Sequence, residues 1–145
     1  MLILRTLHGS RLYGLNRPGS DFDWYEVYDH ARTRQRISGD QDVTRIGLSE
    51  WLAQCDRGVP QALEAMFAPP RFADVDVMGC YRAGYRANVG NAAATYTRTI
   101  AAFMHDGNPK KVLHTHRLRR DLNELRMFGR FDPTAFGRTR VWPLR

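Results

Sequence analysis

The rhythm of apolar and polar positions changes once along this chain, near residue 48. Before that point the apolar residues come in short runs that suit strands. "LILRTL" (2–7) is short, apolar and β-compatible, and predicts a first strand. "DFDWYEVYD" (21–29) alternates and is rich in aromatic and β-branched residues, so it predicts a second. "DVTRIG" (42–47) predicts a third. Between them, Gly9-Ser10 ends the first strand and "RLYGLN" gives one or two helical turns. "RPGS" (17–20) is strong turn chemistry, and "HARTRQRISGDQ" (30–41) reads as a polar hairpin.

After residue 48 the spacing becomes helical. Ser49 is placed to cap one helix and Gly58 to stop it. Pro60 opens the next at its first position, and "PPRF" (69–72) breaks it. From about Tyr81 to His105 an alanine-rich stretch predicts a single long helix, ended by "DGNP" (106–109). "KKVLHTHRLRRDLNELRMF" (110–128) predicts an amphipathic helix whose apolar stripe is Val112, Leu113, Leu118, Leu122, Leu125 and Phe128. The tail, 129–145, is turn-rich. No internal repeat or low-complexity segment is present. Strands first and helices second predict one α+β domain over 1–145: a small mixed sheet in 1–48, then a helical half in 49–128.

The composition fits that reading. The chain has 145 residues, 43% of them hydrophobic and 26% charged, as in globular proteins. No apolar run approaches the roughly 18 residues that span a membrane. The N-terminus has no basic segment ahead of its apolar stretch, so no secretory leader is expected. Cys55 and Cys80 have no metal-binding spacing and are expected to be reduced thiols of a cytoplasmic protein. The net charge of +7 points to polyanionic partners: nucleic acid, nucleotides or phosphate groups. Ten of the 22 basic residues lie between Lys110 and Arg145.

The candidate chemistry sits in "GSRLYGLNRPGSDFDWYEVY" (9–28). On a strand, Asp21 and Asp23 would share a face, ~6–7 Å apart, with Phe22 and Trp24 on the other face, toward the core. Adjacent carboxylates repel, and a hard divalent cation with oxygen ligands removes the repulsion. Gly9 lets the backbone approach a phosphate, and Ser10 offers a hydroxyl and an N–H.

The combination of a strand, Gly-Ser, a turn-containing spacer, Ser-Asp-x-Asp and a second strand resembles the signature of the DNA polymerase beta-like nucleotidyltransferase superfamily. More narrowly, it looks like the small predicted nucleotidyltransferases of bacteria and phages. The likeness is close over residues 9–23 and looser over 42–128. It implies transfer of a nucleoside monophosphate from a nucleoside triphosphate to an acceptor such as RNA or a protein, with Mg²⁺ or Mn²⁺. Gly9, Ser10 and Ser20 would then belong to the nucleotide site. The family's third carboxylate would be Asp42 or Asp40. Asp42 heads an alternating run and is favoured over Asp40, which follows Gly39. With Asp42, the catalytic and metal-holding set would be Asp21, Asp23 and Asp42.

Lys110, His114 and Arg117 are spaced i, i+4, i+7 and share one face of the last predicted helix. Similar Lys-x-x-x-His-x-x-Arg helices occur in the same family, which implies a role at the triphosphate or acceptor. His116 is the rival of His114, and His8, just before Gly-Ser, is a candidate for a buried position beside the site. The resemblance also admits an antitoxin that acts on a partner toxin. The charge separately admits a basic nucleic-acid-binding domain.

Overall fold

The computed structural model describes residues 1–139. The strands are β1 (Leu2–His8), β2 (Asp23–Tyr28), β3 (Gln35–Ile37), β4 (Asp42–Gly47) and β5 (Ala73–Asp76). The helices are α1 (Gly9–Tyr13), α2 (Leu48–Arg57), α3 (Pro60–Phe67), α4 (Gly79–Gly84), α5 (Val89–Asp106), α6 (Pro109–Phe128) and α7 (Ala135–Thr139), with a 3₁₀ turn over Pro70–Phe72. The fold is α+β, and most of the helix lies in the C-terminal half. The sheet is mixed, in the order β3-β4-β2-β1-β5, with β2 and β4 parallel and the other pairs antiparallel.

One face of the sheet carries the core. Leu4, Tyr25, Val27 and Ile46 are buried on it against Trp51 of α2, Leu63 and Met66 of α3, Tyr96 and Ile100 of α5, and Leu118, Leu122 and Leu125 of α6. Burial of such side chains is worth about 1.5–3 kcal/mol each. The opposite face carries a charge ladder. Arg5, Glu26 and Arg45 are cross-strand neighbours, with Arg5–Glu26 at 3.1 Å and Arg45–Glu26 at 3.0 Å.

That division corrects the expected facing of the second strand. Tyr25 and Val27 point to the core, so Asp23, two residues before Tyr25, is on the core side as well. Trp24 lies on the other face beneath the Arg5 guanidinium, 3.7 Å from its ring centroid. The strand also starts later than expected, at Asp23. Its antiparallel partner β1 ends at His8, which is opposite Asp23, so residues 21 and 22 have nothing to pair with on that side. Arg11 holds them out of the sheet instead. It donates to the carbonyls of Ser20 (2.8 Å) and Asp21 (3.3 Å) and stacks on Phe22 at 3.7 Å. Phe22 is exposed and is no part of the core.

The helical half departs from expectation in three places. The long helix over 81–105 is two helices. Tyr85 leaves helical geometry (ψ 139°), Ala87 donates to the carbonyl of Gly129 (2.8 Å), and the Asn88 side chain caps the restart by accepting from the N–H of Asn91. The short edge strand β5 has no apolar alternation to announce it and exists by pairing with β1. On α6, Val112 and Phe128 are exposed, while the charged Arg117 and Asp121 are buried. The expected turn-rich tail is ordered as α7 up to Thr139, and residues 140–145 lie outside the described ones. Among the described residues no helix is long and apolar enough to cross a membrane.

Candidate active site

Three cross-strand neighbours form a row at one end of the sheet. His8 of β1 is opposite Asp23 of β2, and Asp23 is beside Asp42 of β4 in the parallel register. All three lie on the helix-covered face, where the apolar packing gives way to a cleft of about 490 Å³. Gly9 and Ser10 of α1 edge this cleft, and Lys110, His114 and Arg117 of α6 close it from the other side. The fold thus brings together eight of the residues singled out in the sequence, from five elements.

Others are placed elsewhere. Ser20 is held in the preceding turn, its Oγ accepting from the N–H of Arg17 (2.8 Å), and Asp21 is exposed ahead of β2. Neither lines the cleft. Asp40 sits in the exposed turn between β3 and β4, whereas Asp42 is the first residue of β4. His116 is exposed on α6 and is not among the lining residues. Arg119 and Arg120 also lie off the cleft. Arg119 contacts the sulfur of Met104, and Arg120 pairs with Glu124 at 3.2 Å.

Gly9 is fixed by two constraints. Its φ is +65°, a left-handed conformation that L side chains adopt only with strain, and a Cβ there would run into the Asp23 carboxylate. The backbone and the carboxylate approach each other only because the side chain is missing. Gly9→Ala is expected to cost roughly 1–2 kcal/mol in conformation alone and to displace Asp23. Urea denaturation measures the first effect. A stability equal to wild type would show that the turn tolerates a Cβ.

Burial, reinforced by the neighbouring Asp42 carboxylate, pushes the Asp23 carboxyl above its ordinary range, and Arg36 opposes this. Arg36 reaches in from β3 and pairs with Asp42 at 3.0 Å. Two like charges side by side in a half-buried cleft fit a hard divalent cation, whose remaining oxygen ligands come from water and substrate phosphates. Among the described residues no three His, Cys, Asp or Glu side chains group closely enough to hold a metal. The fold therefore offers the Asp23–Asp42 pair, with Asp21 contributing its charge at longer range.

The floor of the cleft is a buried polar network. Glu64 of α3 is fully buried and pairs with Arg117 at 2.5 Å, while Asp121 lies 3.5 Å from the same guanidinium nitrogen. Tyr13 of α1 donates its hydroxyl to Glu64 (2.6 Å), and its ring lies 3.8 Å from the Arg117 guanidinium carbon. Arg117 also donates from Nε to Nδ1 of His114 (3.2 Å). Burial, together with the positive charge of Arg117, pushes His114 down to about 4, so it is neutral at pH 7. With Nδ1 accepting, the proton of the neutral ring is on Nε2. His8 is buried with both ring nitrogens lacking a hydrogen-bond partner, and its Nε2 is 3.9 Å from Glu64. Burial lowers its pKa too.

Sequence reading missed Glu64, Tyr13, Arg34 and Arg36, all of which line the cleft. A signal existed for Glu64: it is the lone charge within "ALEAMF" (62–67), an apolar helical run whose other members are all buried. A charge at such a position requires a buried partner. Arg34 and Arg36 are two apart, a spacing that puts both on one face of the hairpin strand. No protein-family model and no curated protein matches this chain, so the functional reading rests on these residues and their geometry.

Proposed function

We propose that this protein is a metal-dependent nucleotidyltransferase of the polymerase beta-like kind, which residues 9–23 resemble. It moves a nucleoside monophosphate from a nucleoside triphosphate to an acceptor hydroxyl and releases pyrophosphate. The observation that carries this reading is the register: Asp23 and Asp42 stand side by side on parallel strands, and the Gly9 backbone touches Asp23. The Asp-x-Asp motif of the sequence thereby contributes its second aspartate to the pair, and the third strand contributes the other.

In the reaction the acceptor oxygen bonds to the α-phosphorus as the bond from that phosphorus to the α–β bridging oxygen breaks. Pyrophosphate departs with the electron pair. Mg²⁺ or Mn²⁺ held by Asp23 and Asp42, when bound, neutralises phosphate charge and acidifies the attacking hydroxyl. Asp42 is the carboxylate we assign to receive the acceptor's proton. Gly9 and Ser10 supply close backbone and a hydroxyl to the phosphates. Lys110 adds positive charge at the cleft wall, and neutral His114 offers its Nε2–H as a hydrogen-bond donor. Charge that develops on phosphate oxygens is stabilised most by donors already in place. The net charge of +7 suits an anionic acceptor such as RNA, with a protein side chain as the other acceptor class the test covers.

The test uses the whole chain with each of four α-labelled ribonucleoside triphosphates, Mg²⁺ or Mn²⁺, and total RNA or total protein as acceptor. Label should pass to one acceptor class, with pyrophosphate released. The same triphosphate and metal should raise the melting temperature, since a ligand at about 100 times its Kd stabilises by about 2.7 kcal/mol. Asp23→Asn with Asp42→Asn should lose both effects and stay folded. An equal melting gain in the double variant would sink the metal site. Nucleic-acid binding without any transfer would favour a basic binding domain instead.

A further inference from the structure

Arg36 occupies a position that the proposed chemistry leaves unexplained. It sits on β3, a three-residue edge strand whose residues are all exposed. From there its guanidinium reaches the Asp42 carboxylate at 3.0 Å, and its charge is felt at Asp23. It therefore neutralises part of the carboxylate pair in the protein as it stands. The Arg36 side chain is 60% exposed, and an ion pair of that kind is worth only about 0–1 kcal/mol. It is easily displaced. A guanidinium and a divalent cation cannot both take the same carboxylate oxygen. Once the cation has Asp42, the arginine is left as a free fork of donors at the rim of a cleft built for phosphates, and that fork matches phosphate as well as it matches carboxylate.

We propose that Arg36 is an exchange residue: it holds Asp42 while the cleft is free of cation and passes to the triphosphate when a divalent cation takes the carboxylate. This rests on the nucleotidyltransferase reading and adds to it a phosphate-binding residue outside the Gly-Ser motif. The exchange also couples the two ligands. Metal alone must compete with Arg36, whereas metal with triphosphate gains it as a ligand, so the cation binds best when it arrives with the nucleotide.

The test compares wild type with Arg36→Ala by titration calorimetry, using Mn²⁺ alone and then inorganic tripolyphosphate in saturating Mn²⁺, a probe independent of the base. The side chain is exposed on an edge strand, so the variant should fold. Its loss should tighten Mn²⁺ alone by about two- to fivefold, the worth of the surface pair. It should weaken tripolyphosphate by roughly ten- to a hundredfold, the worth of a charge-assisted hydrogen bond. Arg36→Lys should recover part of each effect, because it keeps the charge and lacks the fork. Effects of the same sign on both ligands, or none on either, while wild type binds both, would overturn the exchange and leave the nucleotidyltransferase reading standing. A wild type that binds neither ligand would overturn that reading, and the exchange with it.

Discussion

Replacing Arg117 by alanine should lower the stability of this protein by roughly 3–5 kcal/mol, the cost of leaving a buried charge without its partner. Glu64 is fully buried and Arg117 is only 5% exposed. The guanidinium is tied to Glu64, stacks on Tyr13, donates to His114 and approaches Asp121. Burial works against the charge of Arg117, but Glu64, Tyr13 and Asp121 outweigh it and hold the side chain protonated. Without the arginine, Glu64 and Asp121 share one buried space, and burial already pushes Asp121 well above the usual carboxylate range. Chemical denaturation measures the loss. Arg117→Met combined with Glu64→Leu should recover much of it, because it removes both members of the buried pair and leaves only Asp121, which burial already favours in its neutral form. A single alanine variant within 1 kcal/mol of wild type would mean that water reaches this network freely.

The same network ties Arg117, which lines the cleft, to the Gly9-Ser10 turn on its other side. Its bond to Glu64 continues through Glu64 to the Tyr13 hydroxyl, and Tyr13 closes the short helix that begins with Gly9 and Ser10. Helix α6 is thereby clamped to the Gly9-Ser10 turn through two buried side chains. The His114 tautomer follows from the same guanidinium.

Three of the five strands, β1, β2 and β4, were legible because each is a short β-compatible run bounded by Gly, Pro or Asp, whereas β3 and β5 were not. The site was half legible for a related reason: Gly-Ser and Asp-x-Asp are local patterns, and local patterns survive without tertiary context. The failures came where long-range contacts decide. Which face of β2 is buried depends on what covers the sheet, and the aromatic Phe22 and Trp24 looked like core when arginines from other segments cover them. The apolar stripe of α6 was misjudged because its buried face contains Thr115, Arg117 and Asp121, and Arg117 finds its partners outside the helix on α1 and α3. Periodicity cannot see a buried charge whose counter-charge is 53 residues away. The parallel pairing that sets Asp42 beside Asp23 was equally invisible, since nothing in either strand encodes the register of the other.

Asp23→Asn should have opposite effects on stability and on activity. In the unliganded protein, burial and the Asp42 carboxylate raise the Asp23 pKa, so folding disfavours its ionised form. A carboxyl raised in this way stabilises the fold below its unfolded value of 3.8, and that contribution is lost as pH rises through the folded value. At neutral pH the charge is a burden on the fold. Asparagine keeps the shape without the charge, so the variant should melt a few degrees above wild type at pH 7, and the gap should close as pH falls toward 3.8. Adding Mn²⁺ with a triphosphate should reverse the order, because only wild type gains a ligand. Nucleotidyl transfer should fall by at least about 10²–10³-fold, the usual cost of removing one charge-stabilising group from a site. Such a trade of stability for function is expected where like charges are held together for chemistry. Melting curves at several pH values, with and without ligand, test it directly: a variant less stable than wild type without ligand would show that Asp23 supports the fold, and the idea of a carboxylate pair waiting for a cation would fail.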